Sequence, residues 1–473
     1  PLSMIPQDEH NTSQDTTTPS DIFDLSPREE TAPTDNESAE LDEESTQSAA
    51  EVEPKPRKPH ITGDRSLWFL YFAFLATSLL FIYSATSTLA YRGESLYAPF
   101  TGHLKHIIIS VIVAWGFSRM NRTLTRSVGI LIFIGSFALV ILTLFIGTET
   151  NDAKRTLLGI QPSEFYKVGV IFLASAILSI RELTNNQRFY LFCGLTAIGL
   201  ICVAKESLSM GIIITLFVLG IGVVQTGFSK SLFLVGGVGL GIIALLVASL
   251  LLLPDSIVMK NSSTARWKGR IEDFTSKSDS SKFVIDEDNF QEQHARIAIA
   301  RSNGTGVFPG NSVERDILPE AYSDFIYAII IEETGFIGMI WVPLLYILLF
   351  FKLSRWATRS QRSWQRIFLL GVGIMYTTQA IIHMCVVTGI SPNTGQTLPL
   401  ISRGGSSLLA TSIAIGACIA ITRQIREDEY HKQLEEERKA QEEAAAAEAI
   451  VADTSIVEES SLPSSSDEVD GMA

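Results

Sequence analysis

The chain has 473 residues, 46% of them hydrophobic, and a mean hydropathy of +0.25, a balance that excludes an ordinary soluble globular protein and points to a polytopic membrane protein. The net charge of −14 sits at the two ends: residues 1–60 and 425–473 each sum to −11, which leaves residues 61–424 at +8. Nothing in this distribution predicts a nucleic-acid partner, and Cys193, Cys202, Cys385 and Cys418 all fall in apolar runs, so they read as small buried hydrophobes and not as a disulfide or metal set.

In chain order, residues 1–60 read as a disordered acidic tail, rich in Ser, Thr, Pro and acids and too poor in apolar groups to offset chain entropy. It carries no signal-peptide pattern, and because the chain opens at Pro1 the start is expected at Met4 or upstream. Ten spanning segments follow, at roughly 66–90, 103–119, 127–147, 164–181, 188–204, 208–226, 231–254, 324–351, 364–389 and 404–423. The predicted fold is therefore an all-α membrane domain over 61–424, with a long outer loop at about 255–323 between the seventh and eighth helices. Basic residues crowd the flank before the first span (Lys55, Arg57, Lys58, Arg65) and the even-numbered connections, from Arg119, Arg122 and Arg126 to Arg423 and Arg426, which puts both termini in the cytoplasm. The last stretch, 425–473, reads as a second acidic cytoplasmic tail whose first part can form a charged helix.

This topology gathers Glu164, Lys167, Asp324 and Arg403 at the outer face. Asp324 is predicted to start the eighth helix, Glu164 to lie in the first turn of the fourth with Lys167 one turn in, and Arg403 to stand just before the tenth. Each has a plain alternative, since a lysine or arginine can snorkel to the interface and an acid at a helix start gains about 0.3–1 kcal/mol from the dipole. Together they suggest a catalytic or binding cluster that opens outward. Glu332 and Glu333 are predicted roughly 12 Å deeper than Asp324, at about 1.5 Å per residue, as a buried structural network.

Three stretches, "LGIQPSEFYKVGV" (158–170), "FQEQHARIAIARSNGTGVFPGNSVERDILPEAYSDFIYAIIIEETGFIG" (290–338) and "GISPNTGQTLPLISRGGSSLLATS" (389–412), resemble the three signature regions of the SEDS family, the shape, elongation, division and sporulation proteins. The wording "SRGGSS" is closer to the division branch, as in Bacteroidetes-type bacteria, than to the elongation branch. The resemblance implies a peptidoglycan glycosyltransferase that polymerises lipid II on the outer side of the cytoplasmic membrane, at the septum, and releases undecaprenyl diphosphate from the growing glycan. It implies an essential aspartate at Asp324 and a lysine paired with it at Lys167, with a class B penicillin-binding transpeptidase and other divisome proteins as partners.

Joining an α-linked lipid diphosphate into a β-1,4 bond is an inversion, so one carboxylate suffices as general base and Asp324 is the expected one. Arg403 suits the diphosphate with its fork of donors, Gly404 and Gly405 allow close backbone approach, and Glu164 and Ser406 complete the expected substrate site. Gly304 and Gly306 of the outer loop serve either close approach or plain turns. No protein-held metal or other cofactor is expected, although assistance by a divalent cation stays open. The chain departs from the family pattern at "KESLSM", where Ser207 stands in place of an acid beside Lys205 and Glu206, and at His383, where asparagine is common. Glu332, Glu333 and the polar Thr377, Thr378, Gln379 and His383 leave a flippase or transporter of lipid-linked precursor as an alternative, and a non-catalytic divisome scaffold as another.

Overall fold

The computed structural model describes residues 63–86, 98–150, 153–157, 159–227, 229–252, 268–269, 290–319 and 321–460. Most of both acidic tails' outer parts, residues 1–62 and 461–473, and most of the predicted outer loop, 253–267 and 270–289, lie outside them. The membrane body is a bundle of helices: α1 (Arg65–Ala85), α2 (Ala98–Ser118), α3 (Arg122–Ile146), α4 (Pro162–Ile177), α5 (Asn185–Glu206), α6 (Leu208–Thr226) and α7 (Lys230–Leu252) come first. After the loop come α8 (Phe290–Arg301), α9 (Glu314–Ile317), α10 (Ile326–Thr334), α11 (Phe336–Arg359), α12 (Ser363–Val387) and α13 (Gly405–Ser460). Among the described residues, eight helices are long and apolar enough to cross a membrane, namely α1, α2, α3, α5, α6, α11, α12 and α13. The shorter α4 and the chain of α7 occupy the places of the other two expected spans.

Local chemistry sets the ends of these helices. Asp64 caps α1 by accepting from the Ser66 N–H, Asn121 caps α3 by accepting from Leu124, and Thr184 with Gln187 forms a capping box on α5. Ser207 closes α5 and opens α6, accepting from the Met210 N–H. The all-α expectation has one small exception: β1 (Thr148–Thr150) and β2 (Ala153–Thr156) form an antiparallel hairpin in the connection before α4.

The eighth span is not one helix. Gly335 takes φ +62°, ending α10 and starting α11, so the apolar run predicted over 324–351 breaks after nine helical residues. A Cβ on Gly335 would stand 2.2 Å from the Gly304 carbonyl oxygen, and one on Gly306 would stand 2.5 Å from the Glu333 carbonyl oxygen. The two backbones approach too closely for any side chain, and the Val307 N–H donates to the Glu332 carbonyl at 2.9 Å across the contact. The eighth span is thus split into the short α10, which carries the buried Glu332 and Glu333, and the 24-residue α11, and is not one through-going helix.

One face collects the basic connections. Arg122 and Arg362 both bind Asp428, at 2.5 and 3.2 Å, and Arg359 grips Glu429 through two nitrogens. Asp64 meets Lys352 at 3.1 Å and Trp356, while Arg426 donates to the Gly63 carbonyl at 3.1 Å. The start of α1 therefore lies against residues 422–426 of α13, which places both ends of the membrane body on the basic face.

Candidate functional site

The site lies at the opposite ends of α4, α12 and α13. Pro162 at the first position of α4 and Glu164 in its first turn favour helix initiation there, and the three-residue spacing brings Glu164 and Lys167 together on one side of the helix. Both are buried, Lys167 completely. The Lys167 ammonium donates to Glu164 Oε2 at 2.8 Å and to Gln379 Oε1 at 2.6 Å, and it stands 5.6 Å from the centre of the Tyr376 ring. The ion pair that the resemblance placed between Lys167 and Asp324 is not formed: the partner of Lys167 is Glu164, which is nearer along its own helix and buried with it.

Asp324 is half-buried in a turn one residue before the N-cap of α10, so it precedes the helix it was expected to start. Its Oδ1 accepts from the Ser323 hydroxyl at 2.9 Å. Residues 389–404 form a strap that connects this turn to Lys167. Gln379 Nε2 donates to the Thr397 carbonyl at 2.9 Å, the Leu398 N–H donates to Ser402 Oγ at 2.8 Å, and Ser402 Oγ donates to the Ser323 carbonyl at 2.6 Å. The Arg403 N–H then donates to the Tyr322 carbonyl at 2.9 Å, while its guanidinium carbon lies 5.0 Å from the centre of the Tyr322 ring. Asp324 and Lys167 thus occupy two ends of one hydrogen-bonded path.

The strap is held in a conformation its own sequence does not favour. Buried Leu400 has φ +65°, a region costing a non-glycine residue on the order of 1–3 kcal/mol, and the Ser402 N–H bond to Leu398 O and the Tyr346 hydroxyl bond to Pro399 O hold it there. Further along, Gln396 Nε2 donates to Ser207 Oγ at 3.2 Å and its carbonyl meets His383 Nδ1 at 2.8 Å. The two departures from the family wording, Ser207 and His383, therefore both grip the strap.

The remaining residues of the expected substrate site fall around the strap's end. Ser406, in the first turn of α13, accepts from the Gln161 N–H at 3.0 Å and so fastens α13 to the start of α4. Gly405 faces His106 of α2, whose Nε2 would lie 2.7 Å from an added Cβ, whereas Gly404 has ordinary room for one. Sequence reasoning missed α2: His103 bonds Ser78 Oγ at 2.9 Å, and Ser78 Oγ donates to the Ile401 carbonyl at 2.7 Å. Only its helical histidine pair, three apart, carried a signal. Glu332 and Glu333 stand away from the strap. Glu332 accepts from the Ser312 hydroxyl and the Val313 N–H and pairs with Arg301 at 3.5 Å; Glu333 accepts from Ser84 and the Gly310 N–H, with Arg315 at 3.9 Å. Among the described residues, no three His, Cys, Asp or Glu side chains converge as a metal site.

Residues 64–427 match the family model FTSW_RODA_SPOVE, described as cell cycle protein. The probable peptidoglycan glycosyltransferase FtsW of Haemophilus influenzae is 29% identical over 376 residues, covering 77% of this chain and 91% of that protein. The FtsW of Taylorella equigenitalis is 32% identical over 290 residues, 59% of this chain and 75% of that one. Among solved structures, a chain of a peptidoglycan synthase complex that coordinates polymerization and crosslinking superposes with a TM-score of 0.59 at 21% identity, covering 77% of this chain and 99% of that chain. RodA of Thermus thermophilus superposes with a TM-score of 0.52, also at 21% identity, covering 76% and 97%. The bundle is thus a fold shared with RodA, and this multi-pass membrane protein belongs to the FtsW/RodA/SpoVE family of cell cycle proteins.

Proposed function

We propose that the chain is an inverting peptidoglycan glycosyltransferase of the division branch, polymerising lipid II at the outer face of the cytoplasmic membrane at the septum. The observation that carries this reading is the strap: it bonds the carbonyls of Tyr322 and Ser323, in the turn that presents the half-buried Asp324, and ties that turn to the buried Lys167–Glu164 pair. Asp324 takes the proton from the acceptor sugar hydroxyl as that oxygen bonds to the anomeric carbon of the donor. The bond from that carbon to the diphosphate breaks on the opposite face, and its electron pair leaves with the diphosphate, so the configuration inverts. Arg403, braced on the Tyr322 ring, presents its guanidinium to the departing diphosphate charge. Lys167, paired with Glu164, holds Gln379 against the strap, a positioning role.

FtsW relatives bear the name peptidoglycan glycosyltransferase, and a structural neighbour belongs to a peptidoglycan synthase complex, which supports lipid II as substrate and a class B penicillin-binding transpeptidase as partner. The carrier alternative relied on polar groups at several depths: Glu332, Glu333, Thr377, Thr378, Gln379 and His383. Of these, Gln379 and His383 bond the strap and Glu332 and Glu333 accept from the outer-loop backbone, local commitments that weigh against a polar path through the bundle. The test is to incubate the purified chain with lipid II, with and without the cognate transpeptidase, and to resolve glycan strands by length. Strands formed by either sample support the polymerase, whereas unreacted lipid II in both leaves the scaffold reading.

A further inference from the structure

On the basic face, between the first turns of α1 and the last turns of α2, lies an apolar groove of about 510 Å³. Trp68, Phe72, Val111, Ile112 and Trp115 line it, with Ser118 and Arg119 at its mouth. The Trp68 and Phe72 rings stack at 5.7 Å, and Phe72, Ile112 and Trp115 are exposed, although both helices are membrane spans. A groove with these walls at this depth is filled by hydrocarbon. Its mouth carries one positive charge: the Arg119 guanidinium carbon lies 4.9 Å from the centre of the Trp115 ring, and among the described residues no carboxylate pairs with it. Neighbouring Arg122 and Arg423 are engaged by Asp428 and Glu427. The corner that presents Arg119 is itself fixed, because Arg423 Nη2 donates to the Arg119 and Met120 carbonyls at 3.3 and 2.8 Å and Ser118 Oγ donates to the Trp115 carbonyl at 2.7 Å.

We infer that this groove is a binding site for an anionic diacyl phospholipid of the inner leaflet, one acyl chain lying on Trp68, Phe72 and Ile112 and the phosphate accepting from the Arg119 fork. A basic residue at the cytoplasmic end of an interhelical groove selects anionic headgroups, and a planar fork matches a phosphate better than a choline head. The occupant is a phospholipid and not the polyprenyl substrate, because the groove opens on the basic face while Asp324 and Arg403 lie at the opposite one. Unlike the activity proposed above, this site calls for binding alone, and its test needs no turnover.

The purified full chain in detergent is mixed with equal amounts of phosphatidylglycerol and phosphatidylcholine of identical acyl chains, and the retained lipid is counted by native mass spectrometry. The parent is expected to retain phosphatidylglycerol about five-fold over phosphatidylcholine, the equivalent of about 1 kcal/mol for one basic residue. Arg119→Gln should bring the ratio near unity while still retaining lipid, and Ile112→Trp, which fills the groove from an exposed position, should lose this retained lipid altogether. Equal retention of the two lipids by the parent overturns the proposal, as does an unchanged ratio in Arg119→Gln or undiminished retention in Ile112→Trp. Displacement of bound phosphatidylglycerol by equimolar undecaprenyl phosphate also overturns it, since the groove would then belong to the polyprenyl lipid.

Discussion

Lys167 has no exposed surface, so its charge must be balanced where it lies, and Glu164 does this one turn away. Breaking a buried pair by removing one partner costs about 3–5 kcal/mol, more than losing the pair outright. Lys167→Ala is therefore expected to lower the unfolding midpoint of the detergent-solubilised protein strongly, and the double variant Lys167→Met with Glu164→Gln to recover most of that loss without recovering polymerisation. If the single variant unfolds like the parent, the pair carries no structural load. The spacing "PSEFYK" carries the signal for this pairing, because residues three apart share a helix face, but the sequence reading assigned Lys167 to Asp324 instead. Gln379 was read only as a polar residue in a span: it lies 212 positions from Lys167, and no local pattern announces such a contact. For the same reason the Lys167–Asp324 pairing implied by the resemblance gave way to a nearer acid.

At the scale of elements, eight of the ten expected spans and the gathering of basic connections on one face were readable from apolar runs and basic flanks, but the break at Gly335 was not. The run 324–351 is apolar on both sides of that residue, and only the approach of the 304–306 backbone demands a glycine there. Gly335→Ala is expected to destabilise the fold by at least about 1–3 kcal/mol from backbone strain, measured as a fall in unfolding midpoint. An unchanged midpoint would mean that α10 and α11 can join as one helix. A second prediction concerns the foot of α1. Burial acts to raise the Asp64 carboxyl, but the Ser66 N–H, Trp356 and Lys352 outweigh it and hold the group below the ordinary aspartate range. A carboxylate held below its unfolded value stabilises the fold above that value and loses the contribution as pH falls through the folded one. The parent should accordingly lose stability below about pH 4, and Asp64→Asn should be less stable at neutral pH with a smaller further loss on acidification. Parallel midpoint-versus-pH curves for the two would contradict this.

For the whole molecule, α13 is the connecting piece. Its first turn bonds the start of α4 through Ser406, and about 22 residues later Asp428 and Glu429 hold two connections on the basic face. From His431 to Ile450 the helix is exposed, so that stretch adds nothing to the bundle's packing. Removal of residues 1–55 or 440–473 is expected to leave polymerisation by the purified protein within about two-fold of the parent, since a change of 0.4 kcal/mol or less is all that loss of distant tethers should bring. A folded truncation that has lost polymerisation would assign the tails a role in catalysis. Composition reads the tails as polar tethers, and most of that stretch, residues 1–62 and 461–473, lies outside the described residues. The strap was harder: its wording marked a family region, but its function of tying Asp324 to the Lys167 pair arises only when α4, α12 and the turn before α10 come together.

The central claim is that Asp324 is the base that deprotonates the acceptor hydroxyl. Its most direct measurement is lipid II polymerisation in vesicles by Asp324→Asn at the parent's protein level, alongside an unfolding midpoint to show that the variant is folded. Asn keeps the size of the side chain and a site for the Ser323 hydrogen bond but cannot take the proton, so no glycan strands are expected from a protein that unfolds like the parent. Strand synthesis by the folded Asn variant at near the parent's rate would contradict the account.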